Sequence, residues 1–73
     1  MTIEEYEDLF RQQDGVCAIC KKPSQGARKL VVDHRHHHEI IRGLLCENCN
    51  RGLGLFYDDP AVLKNAIDYL HWW

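Results

Sequence analysis

Apolar residues recur at helical spacing near both ends of the chain and cluster in short runs between them. Ile3, Tyr6, Leu9 and Phe10 share one helical face. Thr2, with Glu5 three residues on, supplies a capping box ahead of that stripe. The pattern predicts a short amphipathic helix over residues 3–13, ended by Asp14-Gly15. Val16 to Lys22 reads as a tight metal-binding turn, and residues 23–26 as loop. Lys29 to His34 and Ile40 to Leu45 predict two strands, joined as a hairpin by a histidine-rich turn. Residues 46–56 form a second knuckle that runs into a helix. Gly52 and Gly54 each weaken that helix by about 1 kcal/mol relative to alanine, and would let another backbone come close. Asp58-Asp59-Pro60 is a helix start signal. Beyond it, Leu63, Ala66, Ile67, Leu70 and Trp73 make one apolar stripe, with Tyr69 and Trp72 on a neighbouring face. Two fates are expected for these aromatics: wrapping the amino-terminal helix, or a weak dimer contact. The pattern as a whole is α+β, one domain over residues 1–73, with a hairpin-and-helix centre flanked by amino- and carboxy-terminal helices.

Seventy-three residues bury too little apolar surface to be secure by core packing alone. The chain needs a staple, and Cys17/Cys20 and Cys46/Cys49 are two Cys-x-x-Cys pairs that can supply one. Two disulfides or one tetrathiolate zinc would serve. The start of the chain carries no basic, apolar leader, and no apolar run reaches membrane-spanning length. A cytoplasmic, intracellular location with no membrane partner is therefore expected, and there such pairs bind metal. With all four positions taken by thiolate, this zinc is structural. The twenty-five residues between Cys20 and Cys46 let a hairpin leave and return. A disulfide-stapled secreted domain remains the reading to be tested against it.

The net charge is −2, but it is unevenly spread. Residues 1–14 carry −4 and residues 52–73 carry −2, whereas residues 15–51 carry +4. The positive segment holds the cysteines and Arg35, Arg42 and Arg51, where a phosphate backbone would dock. The same segment holds Asp33-His34. Adjacent strand residues point to opposite faces, so one site can use both only if the strand is locally distorted or a ligand approaches it edge-on.

Leu30-Val31-Val32-Asp33-His34-Arg35-His36, followed by Ile41-Arg42-Gly43-Leu44-Leu45-Cys46-Glu47-Asn48-Cys49-Asn50, resembles the recombination endonuclease VII branch of the HNH (ββα-metal) nucleases. The likeness covers roughly residues 15–57. It implies a small zinc-stabilised, treble-clef-like ββα-metal domain, in which a hairpin and a helix clasp one divalent ion beside a four-cysteine zinc. By that resemblance Asp33 and Asn50 are ligands of a catalytic Mg²⁺ or Mn²⁺, and His34 is the general base. His36 assists at the phosphate or the leaving group. His37-His38-Glu39 stands where relatives have a Lys-Thr-Gly-like turn, so three successive histidines compete for that supporting role. The implied activity is phage-related, metal-dependent hydrolysis of DNA, expected as weakly specific nicking by a monomer or weak homodimer. Arg35, Arg42 and Arg51 are candidates to hold flanking phosphates. The alternative is a non-catalytic zinc module that binds nucleic acid or protein. It accounts for the cysteines and the basic centre but leaves Asp33, His34 and Asn50 together unexplained.

Overall fold

Helix α1 spans Ile3–Gln12 and begins as its capping box requires. The Thr2 hydroxyl accepts from the Glu5 N–H at 3.1 Å, and the Glu5 carboxylate accepts from the Thr2 N–H at 3.2 Å. That second bond holds Glu5 below the ordinary carboxylate pKa. The helix stops where Asp14 and Gly15 turn left-handed, at φ 56° and 72°, and the Gly15 N–H closes the turn onto the Phe10 carbonyl at 2.9 Å. The computed structural model describes residues 1–24, 29–34 and 41–73.

Strands β1 (Val31–His34) and β2 (Ile41–Leu45) form a two-stranded antiparallel sheet. β1 begins later than the sequence pattern predicts, and the histidine-rich turn and Ile40, the expected start of the second strand, lie outside the described residues. Val31 pairs with Leu45, Val32 with Leu44 and Asp33 with Gly43; then the register slips and His34 pairs with Ile41. Arg42 is the residue passed over. The slip is a β-bulge, which bends the strand and re-aims side chains.

Beneath the sheet lies a small core. Cys17, Leu30, Leu44 and Leu45 are buried, and Tyr6, Leu9, Phe10, Val32 and Leu53 pack around them half-buried. The Tyr6 hydroxyl ties α1 to the approach of β1 by donating to the Leu30 carbonyl at 2.6 Å. Gln13, just past α1, clamps the edge of β2. Its amide nitrogen donates to the carbonyls of Val16 and Leu44 at 2.9 and 3.0 Å, and its oxygen accepts from the Leu44 N–H at 2.9 Å. Gly43 is needed beside this clamp, since a Cβ there would lie 3.1 Å from the Gln13 side-chain oxygen.

Helix α2 (Glu47–Leu55) starts from Cys46 as its cap. It ends with the Asp58 N–H on the Leu53 carbonyl at 2.7 Å, and with Tyr57 and Asp58 both left-handed at φ 61° and 53°. Among the described residues no other part of the chain approaches the glycines of α2: a Cβ at Gly52 or Gly54 would meet nothing within 4 Å. Helix α3 (Pro60–His71) is capped by Asp59, which accepts from the Ala61 N–H at 2.9 Å. Asp58, grouped with it in the start signal, has another partner. Among the described residues α3 packs against no other element. The expectation that its aromatics wrap α1 is therefore corrected. Tyr6, Leu9 and Phe10 of α1 already cover the core, and α3 has no share in it. Trp72 and Trp73 are 87% and 90% exposed, and Tyr69 instead meets Trp73 at 6.3 Å between ring centroids.

Candidate functional site

The two knuckles bring four sulfurs to one point. In the first, the Cys17 N–H donates to the Lys22 carbonyl and the Lys21 N–H to the Cys17 carbonyl, each at 3.0 Å, with Lys21 left-handed at φ 62°. In the second, the Cys46 sulfur caps α2 by accepting from the Cys49 N–H at 3.4 Å. The Ala18 N–H fastens the first knuckle to β2 through the Leu44 carbonyl at 3.1 Å.

The Sγ atoms of Cys17, Cys20, Cys46 and Cys49 all lie within 4.8 Å of one another, and all four thiols are free. Cys20 and Cys46 sulfurs are 3.9 Å apart. A tetrahedron with Zn–S bonds of about 2.3 Å has edges of about 3.8 Å, so the cluster fits a tetrathiolate ion rather than two disulfides. Burial opposes ionisation at Cys17, but hydrogen bonds from the backbone N–H groups of Cys46, Cys20 and Ile19 outweigh it and bring that thiol down to about 6. Burial, and the neighbouring sulfurs that share its hydrogen bonds, push Cys49 up to about 12. Four thiols packed this closely cannot all shed their protons without a cation between them.

A second group of side chains meets on the outer side of the hairpin. Val32, Asp33, His34, Arg42, Asn50, Gly54 and Asp58 line a hollow of about 280 Å³. The bulge resolves the difficulty raised by the sequence. Because the register breaks between Asp33 and His34, both neighbours reach the same hollow. Asn50 joins them from the first turn of α2, where the Asn50 N–H donates to the Cys46 carbonyl at 3.0 Å. The cysteine cluster thereby sets the position of the asparagine.

Asp33 is buried and His34 is exposed. The Asp33 carboxylate accepts from Arg42 Nε at 2.7 Å and Nη2 at 3.1 Å. The other edge of the same guanidinium donates to Asp58 through Nη1 at 3.1 Å and Nη2 at 2.9 Å. Hydrogen bonds to Asp33 and then Asp58 raise the Arg42 pKa further above its already high value. Arg51 is exposed on α2 and makes no ion pair with the described residues. Arg35, His36, His37 and His38 lie outside the described residues.

The sequence reading missed Asp58 and Gln13. For Asp58 a signal was present: two consecutive acids precede Pro60, and a helix start uses one. Asp33 and Asn50 offer a carboxylate and an amide oxygen to the hollow, donors suited to a hard divalent cation that keeps several waters. A larger, mainly apolar hollow of about 590 Å³ between α1 and the approach of β1 has no comparable group of donors.

The family model for recombination endonuclease VII matches residues 1–72. The Gene 59 protein of Mycobacterium phage D29 is 44% identical over 71 residues, and that of Mycobacterium phage L5 is 41% identical over 71 residues. Each match covers 96% of this chain and 43% of the relative, so the chain spans less than half the length of these curated relatives. No solved structure matches it.

Proposed function

The chain belongs to the recombination endonuclease VII family, and on that premise we propose that it is the nuclease unit of a metal-dependent DNA endonuclease. The unit is of the HNH type, a treble-clef-like ββα-metal domain over residues 1–73. One observation carries the reading: the bulge at Arg42 lets Asp33 and His34 share a hollow with Asn50.

The roles divide by donor chemistry. Cys17, Cys20, Cys46 and Cys49 hold a structural zinc, with no coordination position left for substrate. Asp33 and Asn50 hold Mg²⁺ or Mn²⁺. When bound, that ion offsets charge on the phosphate and on the departing oxygen. The exposed imidazole of His34 accepts a proton from water as the water oxygen bonds to phosphorus in line. The bond from phosphorus to the 3′-oxygen breaks, giving a 5′-phosphate and a 3′-hydroxyl. His36 assists at the phosphate or leaving group. Arg35 and Arg51 hold flanking phosphates. Arg42 contributes there only by leaving its carboxylate partners.

One base and one ion site per chain cut one strand per encounter, so the expected activity is weakly specific nicking by a monomer. No helix among the described residues is long and apolar enough to cross a membrane, and the proposed setting is cytoplasmic. Supercoiled plasmid, incubated with zinc-loaded protein across several divalent ions, tests the proposal. Open circles should appear first and linear DNA late, and chelation that spares the zinc should stop both. Tight DNA binding with no cutting under any ion would favour the non-catalytic zinc module instead.

A further inference from the structure

We propose that Arg42 and Asp58 are positioning residues for Asp33: Arg42 fixes the carboxylate, and Asp58 offsets the charge that Arg42 brings. The inference rests on the reading of Asp33 as a ligand of the divalent ion.

The geometry is a flat relay. Arg42 engages both oxygens of Asp33 from Nε and Nη2, so the carboxylate cannot rotate without losing a charge-assisted bond. Each carboxylate oxygen has two lone pairs, and one on each is left for a further partner. The opposite edge of the guanidinium is fixed by both oxygens of Asp58. The Asp33 side chain is 11% exposed, against 26% for Asp58 and 37% for Arg42, so the carboxylate being held is the most buried of the three.

The backbone at Asp58 points the same way. Two consecutive non-glycine residues, Tyr57 and Asp58, stand left-handed at the end of α2. Glycine would end the helix with less strain. Aspartate tolerates this backbone better than most residues other than glycine, and the Asp58 carboxylate lies on Arg42.

Charge then explains why two carboxylates share one guanidinium. Asp33 with Arg42 alone is neutral, and an approaching cation would face a guanidinium with no opposing charge. Asp58 restores a net charge of −1 to the three side chains. The hollow thus keeps a fixed carboxylate and still attracts a cation.

The test is Mn²⁺ binding to the zinc-loaded protein, read by the electron paramagnetic resonance of free Mn²⁺ with no DNA present. Asp58→Asn suits it, because asparagine accepts a left-handed backbone. It leaves the trio neutral and should weaken Mn²⁺ binding on the order of tenfold. Arg42→Gln leaves −2 but also frees the Asp33 carboxylate to rotate, so binding should gain less than the roughly tenfold that the charge alone would give. Combining the two returns the charge to −1 without the fixed carboxylate, so affinity should lie between that of Asp58→Asn and that of the unmodified protein; full restoration would remove the positioning role from Arg42. If the two residues served folding alone, the double variant would bind worse than either single one, and that result would overturn the proposal. So would unchanged affinity in Asp58→Asn. Asp33→Asn is the separate control. If it binds Mn²⁺ like the unmodified protein, the ligand reading itself fails, whereas its loss beside an unaffected Asp58→Asn refutes the relay alone.

Discussion

Asp33 and His34 are covalent neighbours that a regular strand would send to opposite faces, and the slip at Arg42 brings them to one hollow. Both were legible in the sequence as candidates. The bulge was not, because it is a property of two paired strands and leaves no mark on either alone. Asp58 went unread for a similar reason: its partner Arg42 is sixteen residues away, and its neighbour Asp59 accounts for the cap. At this scale the chemistry is separable from folding. His34→Ala should lower plasmid cutting by about 10²–10⁴ while zinc content and circular dichroism stay unchanged; wild-type cutting would remove His34 from the reaction. Gln13→Ala should do the opposite. It strips Leu44 of both side-chain partners, so urea unfolding should report a loss of about 1–3 kcal/mol. An unchanged midpoint would mean that water replaces the clamp without penalty.

Helix starts were the most legible elements. The Thr2–Glu5 box and the Asp59-Pro60 cap rest on side chains within a few residues of the backbone they satisfy, and both form. Strand limits were less so, since alternation continues past the point where pairing ends. Packing of α3 was least legible. Its apolar stripe states that a face is greasy, not which surface it meets, and α1 occupies the core instead. The α2 glycines carry the clearest element-scale prediction. Gly52 has open space where a Cβ would stand. Gly52→Ala should raise unfolding stability by about 1 kcal/mol with the zinc still bound. A loss of stability would place an unseen neighbour against that face.

For the whole molecule, the buried apolar core among the described residues is four residues, and one of them, Cys17, belongs to the cysteine cluster. Core and staple are therefore one structure, and removing zinc should unfold the domain rather than loosen a corner of it. Cys49→Ser should be unfolded or insoluble; a soluble variant with full helical circular dichroism and no metal would refute that dependence. The exposed end of α3 has a practical consequence for such work. The two tryptophans of the chain are Trp72 and Trp73, both almost fully in solvent. Their fluorescence should already peak at the long wavelengths of hydrated indole in the folded protein. Chelation should then erase the far-ultraviolet helix signal with the emission maximum scarcely moved, so the usual optical probe of unfolding is blind to collapse of the zinc core. A blue-shifted emission that moves to the red on dilution would instead report indoles covered by a second copy of the chain.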